Sequence, residues 1–190
     1  DRSVSMRWEG DGGRGAGTPM VGAAARDIGD PYASSSGGRL TTEFISGETA
    51  DAERYILEHL KSFNDSVSLH HRLGREPGGD VPIAVMLRSA EGWVGGVCGS
   101  VHWNWLCVED FWIDERVRGR GFGRELLLEL ERRAVAMGAV RAHLSTFHFQ
   151  ARGFYEKLGY RVVGELGDYP PGGRMYWMRK DGLADRVKLR

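Results

Sequence analysis

The chain has 190 residues, 41% of them hydrophobic, and its 26 basic and 26 acidic side chains cancel to a formal charge of zero. That balance leaves no basic face for a nucleic-acid partner, and no run approaches the roughly 18 to 20 apolar residues that a membrane span needs. The length suits one hydrophobic core, and Cys98 and Cys107, the two cysteines present, make no disulfide framework and read as buried free thiols.

Residues 1–38 hold nine glycines and the run Ser34-Ser35-Ser36-Gly37-Gly38, without sustained periodicity, and read as a flexible Gly/Ser-rich tail. They lack the apolar region of a secretory signal, and Asp1, Glu9, Asp11, Asp27 and Asp30 argue against a transit peptide, so a cytoplasmic location is expected. A single folded domain is expected over 39–182, followed by a basic tail over 183–190. Leu40 to Ser46 reads as a first strand. Thr49 or Asp51 can cap helices over about 50–72, in which Tyr55, Ile56, Leu60 and Phe63 recur at helical spacing. After the turn cluster Glu76-Pro77-Gly78-Gly79-Asp80, the pattern predicts strands over 81–89, 93–106 and 107–114. A glycine-rich loop then leads into a helix reaching about Met137, with Gly138 as its C-terminal cap and Leu127, Leu130, Ala134 and Met137 along one stripe. A strand over 140–147, a short helix over 150–158 and strands over 160–166 and 174–179 complete seven strands. The class is α+β, with a mixed, mostly antiparallel seven-stranded sheet flanked by helices on both faces.

The chemistry concentrates in Val108 to Arg124, where an apolar strand passes through a charged turn into Gly119, Gly121 and Gly123 and then a helix. Glycines remove Cβ atoms where backbone must approach a ligand, and a helix N-terminus aims unpaired N–H groups and a positive dipole end at the same point. An anionic ligand is expected. No Lys-Ser or Lys-Thr follows the glycines, as a P-loop requires, and their spacing and late position do not match the dinucleotide fingerprint.

The run Arg118-Gly119-Arg120-Gly121-Phe122-Gly123 resembles the pyrophosphate loop, Arg/Gln-x-x-Gly-x-Gly/Ala, of the GNAT superfamily of acyl-CoA-dependent N-acetyltransferases. Ala151-Arg152-Gly153-Phe154-Tyr155-Glu156-Lys157-Leu158-Gly159-Tyr160 resembles that superfamily's second motif, in the right order and with a strand between. The resemblance implies acetyl-CoA as co-substrate, with its pyrophosphate on amides from Arg118 to Arg124 (Arg118, Gly119, Arg120, Gly121, Phe122, Gly123, Arg124) and its pantetheine arm along Phe111, Trp112 and Ile113. The Ile113 amide is then the candidate oxyanion donor. Arg120 equally fits a solvated turn.

Acetyl transfer needs a base for the ammonium proton and an acid for the departing thiolate. The resemblance implies Tyr155 as that acid; a phenol suits the task, and core packing is its other reading. His148 stands where the superfamily often carries Asn, and Gln150 is the candidate replacement toward the cofactor. Val108-Glu109-Asp110-Phe111-Trp112-Ile113 resembles the Leu-Glu-Asp strand of the diamine acetyltransferases within the superfamily, which implies Glu109 as base and Asp110 as an ammonium contact. Strand alternation sends these two side chains to opposite faces unless the strand bulges.

Trp103 and Trp105, read on one strand face, either wall the acceptor pocket or pack the core, and Tyr169 lies in a turn near where the superfamily admits its acceptor. His70 and His71 adjoin a helix end without further ligands at metal spacing, so no metal is expected. The reading is an N-acetyltransferase acting on a small-molecule primary amine by direct attack in a ternary complex; a non-catalytic acyl-CoA sensor and a protein-amine acetyltransferase are the alternatives. A homodimer is compatible with either.

Overall fold

The computed structural model describes residues 41–184, so the expected tail over 1–38, residues 39–40 and residues 185–190 of the tail expected over 183–190 lie outside the described residues; the start of that second tail is corrected, because Leu183 is buried in the core and its amide donates to the Val140 carbonyl at 3.2 Å. The backbone falls into two units that divide between Val67 and Ser68. In the first, residues 41–49 form no helix or strand, which corrects the expected strand at 40–46; Phe44 and Ile45 supplied its apolar pattern and are both exposed. Helix α1, Ala50–Val67, follows, with Asp51 and Glu53 in its first turn, where carboxylates favour the positive end of the helix dipole.

The second unit begins with the short helix α2, Leu69–Gly74, whose N-cap Ser68 accepts the amide of His71. Six strands follow: β1 Asp80–Ser89, β2 Gly92–His102, β3 Trp105–Ile113, β4 Arg141–Phe147, β5 Arg161–Gly167 and β6 Arg174–Asp181. They form one sheet in the order β1-β2-β3-β4-β6-β5, in which only the β3–β4 pair is parallel. The sheet is thus mixed and mostly antiparallel, as expected, with six strands rather than seven. Register shifts interrupt β1–β2 between Leu87 and Arg88, and β5–β6 between Val162 and Gly164.

The join between β2 and β3 is also corrected. The sequence suggested a break near Leu106 and Cys107, but the turn is Trp103-Asn104, both at positive φ (48° and 61°), which is the geometry that a two-residue hairpin requires. Trp103 and Trp105 therefore share no strand face, and neither lies in the core. The Trp103 indole donates to the His70 carbonyl at 3.1 Å and so ties the hairpin to α2.

Between β3 and β4 lie a 3-10 turn, Glu115–Val117, and helix α3, Phe122–Ala136. Leu126, Leu127, Leu130 and Ala134 recur at helical spacing and are buried with Val97, Val101, Leu106, Val108 and Leu144 from the sheet. Met137, expected on this stripe, is past the last turn and 41% exposed. Gly138 at φ 94° ends the helix, with Gly138 N–H on the Val135 carbonyl and Ala139 N–H on the Ala134 carbonyl. Helix α4, Arg152–Lys157, contributes Tyr155 to the same core.

One polar group inside this core is absent from the sequence reading. Glu131 of α3 accepts Lys180 Nζ at 2.6 Å and the Tyr160 hydroxyl at 3.0 Å, and Lys180 and Glu131 are nearly inaccessible to water. Both carboxylate oxygens are occupied, which offsets the cost of taking two charges out of water. Removing one partner leaves a bare buried charge. Lys180→Ala is expected to lower stability by about 3–5 kcal/mol in urea titration, whereas Glu131→Leu with Lys180→Met is expected to recover most of the loss.

Candidate active site

Strands β3 and β4 hold together over Trp105–Cys107 and Arg141–His143 and then pair no further. Past that point their facing backbone groups are left to a cleft between two parallel strands. Asp114 N–H donates to the Val94 carbonyl across β2–β3, while the Ile113 carbonyl points away from β2 and accepts Arg118 Nε at 2.8 Å. In a strand the N–H and C=O of one residue share a direction, so the Ile113 amide also faces the cleft.

On its other side β3 carries a bulge. Val97 pairs with Phe111 and Gly99 with Val108, so the single residue Cys98 opposes two, Glu109 and Asp110. The extra residue resets the alternation: Leu106 and Val108 before it, and Phe111 and Ile113 after it, turn toward the core. Both carboxylates therefore share the opposite face. There Ser100 Oγ donates to Glu109 at 3.3 Å, and Cys98 Sγ lies 3.8 Å from an Asp110 oxygen. Neither carboxylate forms an ion pair among the described residues, and both are exposed. A Cβ on Gly99 would collide with the Cys107 carbonyl, so the bulge depends on glycine there. Cys98 and Cys107 are free and half-buried rather than fully buried; burial, with the Glu109 charge added, pushes the Cys107 thiol up to about 11.

The glycine loop closes the end of the cleft. Gly119 at φ 73° and Gly121 at φ 88° occupy left-handed conformations, and a Cβ on either would meet no protein atom within 4 Å. Gly121 is the N-cap of α3 and makes no side-chain cap, so the first amides of the helix are open to an anion. Gly123 has another use: its Cβ would press on Ile113 Cδ1 at 3.2 Å and Phe154 at 3.5 Å, so it lets α3 start against β3 and α4. Arg118 braces the loop through Ile113 and lies 3.6 Å from Glu115; Asp114, held down to about 2 by hydrogen bonds from Arg116, caps the 3-10 turn. Arg120 lies over the Phe122 ring at 5.4 Å.

Across the cleft, Gln150 Oε1 accepts the Phe147 amide at 2.8 Å and the Thr146 hydroxyl at 3.1 Å, so its carbonyl end serves the β4–α4 turn. His148 Nδ1 accepts the Arg174 amide at 3.1 Å. The Tyr155 ring is buried against Phe154 and Tyr160, and burial pushes its phenol up to about 12. Its hydroxyl has no hydrogen-bond partner among the described residues, yet no described buried polar side-chain atom is unsatisfied, so the oxygen reaches accessible space. Packing and an available proton donor therefore coexist in this residue. Trp103, by contrast, sits at the hairpin end of β3 with its N–H spent on α2, whereas Tyr169 lies in the β5–β6 loop, 6.0 Å from the Phe147 ring. Sequence reading missed Ser100 and the placing of Cys98 beside Asp110, for which only the register of β2 against β3 supplies a signal, and the rings of Phe147 and Phe149 at the end of β4.

The model of the Acetyltransferase (GNAT) family matches residues 48–160. An acetyltransferase from Bacillus cereus has the same fold with a TM-score of 0.64 and 30% identity, over 73% of this chain and 97% of that one. The acetyltransferase Atu2258 of Agrobacterium fabrum is 29% identical over 140 residues, 72% of this chain and 97% of its own length. Blasticidin-S acetyltransferase of Streptomyces morookaense is 43% identical over 79 residues, 41% of this chain, which spans 58% of that relative. The chain belongs to the GNAT family of acetyltransferases.

Because the bulge brings Gly99 against the Cys107 backbone, Gly99→Ala is expected to force β2 from β3, lowering stability by roughly 1–3 kcal/mol. Thermal melting together with accessibility of Cys98 to a thiol reagent would check it; an unchanged melting temperature would mean that the strands absorb a methyl group.

Proposed function

We propose that the protein moves an acetyl group from acetyl-CoA to the primary amine of a small molecule by direct attack within a ternary complex. The observation that carries this reading is the bulge, which brings two carboxylates to one face of β3 beside the point where β3 and β4 cease to pair. The name of the Streptomyces relative, an enzyme for a small molecule, supports that acceptor class.

Acetyl-CoA supplies a thioester carbonyl as electrophile. The residues present fit it: Gly119, Gly121 and the uncapped α3 amides suit a pyrophosphate, and Phe122, Gly123 and Arg124 stand in that first turn. Arg118 and Arg120 add positive charge, the former while bracing the loop. The cleft edge of β3 offers the backbone groups of Phe111 and Ile113, on either side of Trp112, to an extended arm, and the Ile113 amide is a donor for a developing oxyanion. Glu109 takes the ammonium proton, directly or through water, and Asp110 holds the positive charge of the acceptor before transfer. Tyr155 gives its proton to the departing sulfur. Gln150 contributes to cofactor binding by ordering the Thr146-Phe147 backbone.

With a phenol near 12 the acid form of Tyr155 is populated across the working range, so its ionisation removes no activity below about pH 11. Tyr155→Phe keeps the ring and its packing, and is expected to lower kcat on the order of 10²-fold with little change in coenzyme A affinity. A wild-type rate would remove Tyr155 from the acid role. Glu109→Gln is expected to reduce the rate most at low pH, where the amine is protonated and a base is most needed, and least at alkaline pH. A pH profile identical to that of the parent would assign the proton to another acceptor.

A further inference from the structure

The end of β4 carries an aromatic surface that neither the core nor the chemistry above uses. Phe147 and Phe149 stack with centroids 5.3 Å apart and planes 4° from parallel, and Tyr169 lies 6.0 Å from Phe147. Phe149 is 64% exposed and Tyr169 43%. Exposed rings in a mobile turn would mean little, but these are held. Gln150 fixes the Phe147 amide, His148 bonds to Arg174 through both its amide and its ring, and the Asp168 carboxylate accepts Gly172 N–H at 2.7 Å within the loop that bears Tyr169. Met175, the cross-strand partner of Phe147, is buried without belonging to the main core.

Register puts this wall beside the carboxylates. His143, Ser145 and Phe147 alternate with the buried Ala142, Leu144 and Thr146, so Phe147 projects to the face opposite the core, the face that Glu109 and Asp110 share. The last β3–β4 pair is Cys107 with His143; Glu109 is two residues beyond it and Phe147 four. At about 3.3 Å per residue the ring stands roughly 7 Å farther along the strands than Glu109. The spacing between the strands, at least about 4.8 Å past their last pair, adds to this offset, so a cation held by the carboxylates and a flat ring laid on the wall are bridged by a short linker rather than a direct bond.

Resting on the acetyltransferase reading above, we infer that Phe147, Phe149 and Tyr169 form a specificity wall, and that the acceptor is a primary amine joined by a short linker to a flat aromatic or heteroaromatic ring. The positive amine meets Glu109 and Asp110, and the ring lies against Phe149 and Tyr169 in the offset or edge geometry that aromatic pairs prefer. Phe147 backs both and sets their spacing. Two residues outside the acetyl-transferring machinery thereby decide which amines are held with nitrogen toward the cleft.

The test compares 2-phenylethylamine with 2-cyclohexylethylamine, which has the same linker and amine but a more apolar, non-planar ring. Calorimetry on the full-length protein saturated with coenzyme A reads binding without turnover, and thiol release from acetyl-CoA reads transfer to the same two amines. The aromatic amine is expected to bind about three- to tenfold more tightly, and Phe149→Leu and Tyr169→Leu, which keep an apolar surface without a ring, are expected to abolish the difference. Equal binding of the two amines, no binding of either, or a preference that survives both substitutions would overturn the wall. Binding with the predicted preference but without acetylation would leave the wall standing and remove the acetyltransferase reading. Transfer to both amines at equal kcat/KM, with equal binding, would do the reverse.

Discussion

The parting of β3 from β4 after three residue pairs is the constraint on which the site depends. A parallel pair that ran its full length would satisfy the backbone groups of Phe111 and Ile113 within the sheet and leave no cleft. The pair instead separates where β3 is bulged on its other side, so one short stretch of strand changes partner geometry on both edges at once. The unpaired edge faces the cleft, and the bulge re-aims Glu109 and Asp110. Both effects need β2 to be small where β3 swings toward it, which accounts for Gly99 beneath the bulge.

The loop beyond β3 extends the same arrangement. Arg118 bonds back to the Ile113 carbonyl, so the anion-binding turn is fastened to the strand whose free amide adjoins it. Gly123 lets the first turn of α3 seat on Ile113 and Phe154, and α4 carries Tyr155 on the far side of that contact. Strand edge, glycine turn and phenol are therefore located relative to one another by direct packing, without an intervening flexible segment among these residues. The buried Glu131 adds a second attachment, from the middle of α3 to β6 and Tyr160.

Features of the sequence that depend on local chemistry were legible. Gly119, Gly121 and Gly138 mark backbone that only glycine adopts readily, and all three lie at positive φ; the periodicity of Leu127, Leu130 and Ala134 identified the buried face of α3. Features that depend on register were not. Trp103-Asn104-Trp105 has the aromatic content of a strand interior, and nothing local says that two of its residues must turn left-handed. Glu109 and Asp110 were recognised as chemical residues, yet alternation alone assigned them to opposite faces, because the bulge is a property of how β2 pairs with β3. Glu131 sits among surface-like neighbours, Glu129, Arg132 and Arg133, and its burial follows from Lys180, 49 residues away. Apolar residues near 44 and 45 suggested a strand because composition does not state whether a sheet edge is there to receive it.

The outer strands of the sheet, β1 and β5, each have one side that no other strand of the sheet pairs with. Such rims are templates on which a stray extended chain can add itself and begin an aggregate. Here neither rim offers an unbroken run of donors and acceptors. Pro82 removes an N–H from β1, the shift at Leu87 and Arg88 bends its pairing with β2, and Val163 is skipped in the ladder of β5. The irregularities that interrupt the ladder thus also protect the molecule from templating its own polymerisation.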